Sequence, residues 1–211
     1  MTATDGSPPL SKRDVRKLDR RRAILDAARV SFLEKGYDGT SMSGLLDTVG
    51  GSKATLWGYF RSKEELFAAV LDDAVVEHRA ALLACIDPTG DLVESLTQFC
   101  RRFLEKLSSP DSLALWRTIA AEGGRNPAIG RIFYERAPKR IEAGLTAFIQ
   151  KHIEMGELRA DDPVRMARVL ISLCTGRQYR LMWGVASADP AEIESDVATV
   201  VEVFLRAYGQ G

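Results

Sequence analysis

The sequence predicts an all-α fold, and three observations predict it. Apolar residues recur every three or four positions through most of the 211-residue chain, which places them on one face of successive helices. Hydroxyl, Asx and proline residues stand at regular breaks in that pattern, as they do at helix starts. No stretch alternates apolar and polar residues with the Val, Ile and Thr richness of a strand. The expected architecture is an N-terminal three-helix helix-turn-helix unit followed by a larger helical unit, about nine or ten helices in all.

Residues 1–11 are rich in Ser, Thr, Pro and Gly and read as a tail, and the basic stretch through residue 17 is expected to belong to it. From Asp19 to Lys35, Ile24, Ala28 and Phe32 share a face beside Leu25, and Gly36 supplies a left-handed stop. A short second helix follows over 41–49, capped by Thr40 or Ser41, with Leu45, Leu46 and Val49 apolar. Gly50-Gly51 is a tight turn, Ser52 caps again, and Lys53 to Tyr59 form a third short helix. Ser62, with Glu65 three residues on, is a capping box that opens a longer helix through Phe67, Val70, Leu71, Ala74 and Val75.

The remaining chain reads as helix after helix. Leu92, Leu96, Phe99, Cys100, Phe103 and Leu107 form one stripe, and Pro110 opens a segment that ends at Gly123-Gly124. Asn126-Pro127, Asp162-Pro163 and Asp189-Pro190 are cap-plus-proline starts, and Pro138 bends or splits the helix that contains it. The expected division is a disordered basic tail over 1–17, a reading unit over 18–78 and a helical binding and dimerisation unit over 79–211.

Composition narrows the function. The hydrophobic and charged shares, 45% and 27%, are those of an ordinary globular chain. No apolar run is long enough to span a bilayer, and the basic N-terminus lacks the apolar core of a signal peptide, so no membrane role and a cytoplasmic location are expected. Cys85, Cys100 and Cys174 are odd in number and far apart, which fits reduced thiols better than a disulfide framework or a metal site. His78 and His152 have no catalytic partner at a useful spacing, and there is no Gly-rich phosphate loop, so neither an enzyme nor a cofactor is expected. A net charge of zero conceals an asymmetry: residues 1–63 carry 12 Lys and Arg against 7 acidic residues, and the remainder is acidic. A basic front on an acidic body suits a chain that meets phosphate at one end.

The short third helix has the dimensions to lie in a major groove, with Ser52, Lys53 and Thr55 at its start and Trp57 and Tyr59 further along. The stretch RRAILDAARVSFLEKGYDG followed by TSMSGLLDTVGGSKATLWGYFRSKEELFAAVL resembles the DNA-binding domain of the TetR family of regulators. The segment LWRTIAAEGGRNPAIGRIFYERAPKRI resembles, over a shorter span, the C-terminal domain of AefR-like members. The resemblance implies that Thr40 and Ser41 touch the DNA backbone and that Ser52, Thr55, Tyr59 and Lys63 grip phosphates. It implies that Lys53, Ala54 and Trp57 face the bases. The chain departs from the family pattern where Leu46 and Val49 replace the usual Ala and Gly51 replaces the usual Val, which suggests a repacked contact between the second and third helices. Lys12, Arg13, Arg16, Lys17 and Arg20 to Arg22 form either a flexible DNA-reaching arm or a solvated basic tail.

A two-fold palindromic operator calls for a homodimer. The expected interface is Leu173 and Leu181 on the penultimate helix with Val197, Val200, Val201 and Phe204 on the last, the alternative being an intramolecular core. Arg177 and Gln178 interrupt these stripes and either pair across the interface, with Glu194 or Glu202 as candidates, or line a pocket and read a ligand. Phe103, Trp116, Tyr179 and Arg177 are the expected pocket for a hydrophobic or amphipathic small-molecule effector. The rival reading is an interaction module that has kept the helical fold and lost operator binding.

Overall fold

The computed structural model describes residues 11–87 and 89–210, and it contains ten α-helices among them. Residues 1–10 of the expected tail lie outside the described residues, as do the side chains of Val75 and His78. The chain divides into two compact units between Val70 and Leu71, inside a helix rather than after it.

The N-terminal unit holds α1 (Lys12–Gly39), α2 (Met42–Val49), α3 (Lys53–Tyr59) and the first turns of α4 (Lys63–Leu83). The helix α1 starts earlier than the sequence suggests: Ser11 caps it by accepting from the Asp14 N–H, so residues 12–17 are helical and not tail. The reason is local, since Ser followed three residues later by Asp is a helix start and no breaker separates it from Asp19. Gly36, at φ 72°, breaks the regular helix as expected. Its buried face, Ile24, Leu25, Ala28 and Phe32, meets Tyr37, Leu45, Leu56, Phe60, Leu66 and Phe67 in a small core. Phe32, Tyr37 and Phe67 pack as a triad: Phe32 stacks on Tyr37 at 5.7 Å, and Phe67 stands edge-on to both. Ser62 and Glu65 realise the capping box, with Glu65 reaching the N–H of Arg61, one residue earlier than the standard arrangement.

The C-terminal unit holds the rest of α4, then α5 (Leu92–Leu107), α6 (Pro110–Gly123), α7 (Pro127–Arg136), α8 (Pro138–Glu154), α9 (Pro163–Met182) and α10 (Pro190–Tyr208). Pro138 splits α7 from α8 at Ala137, whose backbone is not helical. Four of these helices begin with a cap-plus-proline start, since Ser109, Asn126, Asp162 and Asp189 each accept from a first-turn N–H. One continuous core runs through Leu82, Leu96, Phe99, Cys100, Leu145, Phe148, Met166, Leu170, Cys174, Val197 and Phe204. Gly144 lets α8 approach α4, because a Cβ there would sit 2.2 Å from Leu83 Cδ2. The loop after α8 is pinned to the C-terminus by Arg159 N–H donating to Tyr208 and Gln210 N–H donating to Glu157.

Candidate nucleic-acid interface

The second and third helices expose most of what they carry. Leu45 is the buried residue of α2 and Leu56 that of α3, with Phe60 buried just beyond. Everything else on α3 therefore faces outward: Ser52, Lys53, Ala54, Thr55 and Trp57 are exposed and Tyr59 is half-buried. Trp57 leaves 41% of its surface in water.

Local hydrogen bonds fix the starts of both helices. Ser41 Oγ accepts from the Gly44 N–H at 2.9 Å, and Ser52 Oγ accepts from the Thr55 N–H at 3.2 Å with its hydroxyl 2.9 Å from that of Thr55. Both serines remain exposed, as does Lys53 next to Ser52 in the chain.

Two of the nine residues expected at this surface turn inward. Thr40 is 1% exposed; its hydroxyl donates to the Gly36 carbonyl at 2.9 Å and lies 3.0 Å from the Ser31 hydroxyl. Thr40 ends α1 and secures it instead of contacting DNA, because breaking the helix at Gly36 leaves carbonyls that need a donor. Lys63 is the second correction. Its ammonium donates to the carbonyls of Tyr37 and Thr40, at 2.9 and 3.0 Å, and lies 4.2 Å from the Tyr37 ring centre. In this structure it caps the end of α1 with its charge.

The basic stretch before Ile24 is also part of the helix. Lys12, Arg13, Arg16 and Lys17 are exposed on the first turns of α1, Arg21 lies over the Phe60 ring at 5.4 Å, and Arg22 pairs with Asp26 at 3.2 Å. A flexible arm over 12–22 is thereby corrected to a helix whose N-terminal turns are basic. Arg20 has a separate role: its guanidinium donates to the carbonyls of Val49, at 2.7 Å, and of Gly50. This contact joins residues far apart in the chain and has no local signature in the sequence.

In the C-terminal unit the expected dimer stripe faces the wrong way. Leu181, Val197, Val200, Val201 and Phe204 are buried within a single chain, and Leu173 is half-buried. The apolar stripe of α10 packs on α5 and α9, so helical periodicity identified a core face and not a contact face. Gly176, Thr199 and Val203 are exposed and line, together with Leu173, Arg180 and an edge of Val200, a cleft of about 230 Å³ between α9 and α10. Tyr179, Trp183 and Val185 are exposed at the end of α9 and just after it, Trp183 by 73%.

The expected effector residues do not share one set of neighbours. Phe103 packs on Phe99 in the core, Trp116 stands edge-on to Phe133 at 5.1 Å, and Tyr179 is exposed near Trp183. Arg177 is committed within the chain: it pairs with Asp196 at 2.7 Å and Glu192 at 2.8 Å and donates to the Ser187 carbonyl. These partners lie in the same chain, and the two candidates for pairing across an interface are engaged elsewhere, Glu194 with Arg101 and Glu202 with Arg206. Glu122, which the effector reading missed, and Gln178, one of the two residues left open as ligand readers, are both buried. They are 7% and 3% exposed, and Glu122 Oε2 and Gln178 Nε2 are buried with no hydrogen-bond partner in the chain. They lie on α6 and α9, which pack together.

Among the described residues no helix is long and apolar enough to cross a membrane. Comparison with known proteins adds to the geometry. Residues 24–70 match the family described as bacterial regulatory proteins, tetR family, and residues 94–210 match the AefR-like transcriptional repressor C-terminal domain. A TetR-family transcriptional regulator from Mesorhizobium loti MAFF303099 is similar in structure, with a TM-score of 0.79, 30% identity, and coverage of 92% of this chain and 99% of that one. The flavonoid-responsive regulator FrrA is also 30% identical, with a TM-score of 0.76 and coverage of 90% and 97%. The HTH-type transcriptional regulator BetI of Rhizobium meliloti (strain 1021) is 28% identical over 199 residues, which are 91% of this chain and 92% of that protein.

Proposed function

This chain belongs to the TetR family of DNA-binding transcriptional regulators, with an AefR-like C-terminal domain, and on that premise we propose that it is a homodimeric repressor released from a palindromic operator by a small aromatic effector. The observation that carries the DNA reading is the outward face of α3, where Lys53, Ala54 and Trp57 stand together behind a capping serine. Lys53 and Trp57 supply a base-edge donor and a flat apolar surface, while Ser41, Ser52, Thr55 and Tyr59 reach backbone phosphates. The exposed Lys12, Arg13, Arg16 and Lys17 on the first turns of α1 add sequence-independent attraction.

One such unit reads only a few base pairs, so specificity needs two of them on successive turns of the duplex. The dimer contact we assign is the outward face of α9 and α10, through Leu173, Gly176, Thr199 and Val203, with Tyr179 and Trp183 at its edge. Exposed apolar side chains in one area are a surface that pairing would cover.

For the effector we assign the buried side of α6 and α9. A carboxylate oxygen and an amide N–H left unpaired in an apolar setting are each costly, and a ligand that carries hydroxyl groups satisfies both. The Trp116–Phe133 pair lies on α6 and α7, which also pack together and offer a ring a surface to stack on. The name of FrrA, a flavonoid-responsive regulator, supports a hydroxylated aromatic class. If that ligand favours the form that does not hold the operator, its binding weakens operator affinity by the same factor, and α4, which runs through both units, is the path of the coupling.

The test is selection of a binding site from a random duplex library, followed by footprinting and sedimentation. The expected result is a two-fold symmetric site protected by a dimer, with binding weakened by a hydroxylated flavonoid such as naringenin in the wild type and not in Glu122→Leu. Binding to every duplex with equal affinity at moderate salt would leave the interaction-module reading standing instead. In that assay, Val203→Glu is expected to give a monomer that does not protect the site.

A further inference from the structure

The turn between α2 and α3 consists of two glycines at positive φ, Gly50 at 67° and Gly51 at 91°. A two-glycine turn is the softest joint a chain can make, yet the helix that follows it has to be held at one angle to read DNA. Within this turn, Gly50 N–H donates to the Leu46 carbonyl, which leaves the later carbonyls of α2 to find donors elsewhere. The last turn of α2 carries no basic residue to meet its negative end.

Arg20, on α1, supplies both the charge and the donors. One nitrogen donates to Val49 and the other to Gly50, so a single rigid fork binds the last residue of α2 and the first residue of the turn. The space is fitted to it. A Cβ added at Gly51 would lie 2.6 Å from Arg20 Nη2 and 3.6 Å from its Cζ, so the guanidinium occupies the volume that a side chain at position 51 would need. We propose that Arg20 is a positioning residue for sequence readout: it clamps the Gly50-Gly51 turn and thereby fixes the angle at which α3 is presented. This rests on the reading that α3 enters the groove, and it gives Arg20 a role through the turn and not through contact with phosphate.

The two roles leave different marks. Loss of a phosphate contact weakens binding to every duplex alike and makes the salt dependence shallower by about one unit. Loss of a clamp weakens the selected site, leaves binding to random duplex unchanged and keeps the salt slope. The experiment compares wild type with Arg20→Ala, Arg20→Lys, Gly51→Ala and the Arg20→Ala/Gly51→Ala double variant, on the selected site and on random duplex across a salt series. The expected result is a loss of about ten-fold or more on the selected site for Arg20→Ala, no recovery with lysine, and a double variant no weaker than Gly51→Ala. Equal losses on both duplexes with a shallower slope overturn the proposal, and so does an unchanged ratio of selected to random affinity. Backbone hydrogen exchange in full-length Arg20→Lys decides the matter without DNA. Faster exchange confined to residues 50–55 supports the clamp, and an unchanged pattern overturns it, even where no site can be selected and the functional reading itself has failed.

Discussion

Helices α3 and α5 solve different problems with different means. Only Leu56 of α3 is buried, and the helix is held by a serine cap, by Phe60 just past its end and by the clamped turn before it. Eight side chains of α5 are buried, from Leu92 to Leu107, so that helix is fixed by its own packing. A helix that must offer its side chains to a partner cannot also use them as a core. Its position then depends on a few hydrogen bonds made by neighbours, and small changes in those neighbours act on function before they act on global stability. The C-terminal unit shows the converse: its core side chains are committed to one another across several helices.

That contrast can be broken in order of effect. Phe204→Ala, at a fully buried site in the core of the C-terminal unit, is expected to cost about 3–5 kcal/mol in chemical denaturation; a loss below 1 kcal/mol would mean that α10 is not packed as described. Gly144→Ala forces Leu83 or α8 to move and is expected to cost about 1–3 kcal/mol, measured the same way. Lys63→Ala removes two donors from the end of α1 and is expected to lower stability by about 1–2 kcal/mol while the salt slope of DNA binding stays unchanged. A slope lower by one would return Lys63 to the phosphate role implied by the resemblance. Trp57→Ala is expected to change stability by less than about 0.5 kcal/mol, because the indole is exposed, yet to alter which sites are selected. An unchanged selected sequence would remove Trp57 from the reading surface.

The smallest expected effect concerns acid. Hydrogen bonds from its own backbone N–H and from Ser62 hold the Glu64 carboxyl below the usual glutamate range, with Tyr37 adding to this. A depressed carboxyl contributes stability above the unfolded-state pKa that is lost as pH falls through the folded one. Melting below pH 4.5 is therefore expected to fall slightly less steeply in Glu64→Gln than in wild type. Parallel curves would show that the contact is too exposed to matter. Thiol chemistry distinguishes positions within the C-terminal unit: a hydrogen bond with Cys100 and burial push the Cys174 thiol well above its ordinary range. Alkylation at pH 8 is expected at half-buried Cys85 alone until the protein unfolds.

Signals confined to a few neighbouring residues were legible in the sequence. The caps at Ser41, Ser52, Asp162 and Asp189, the break at Gly36 and the split at Pro138 all depend on backbone groups within one turn, so residue type and spacing decide them. The outward face of α3 was legible for the same reason, since a seven-residue helix with one large aliphatic residue has one face to bury. Contacts between residues far apart in the chain were not. The clamp from Arg20 to Val49, the inward turn of Lys63 onto Tyr37 and Thr40, and the pairing of Arg177 with Glu192 and Asp196 each depend on which helix end lies within reach of a long flexible side chain.

By itself the sequence determined most of the helices, their caps and the exposed face of α3, because backbone hydrogen bonding and side-chain periodicity act over a few residues. Only the tertiary structure decided which apolar stripe is core and which is free. An amphipathic helix buries its stripe against whatever lies nearest, and in α10 that is α5 and α9 of the same chain.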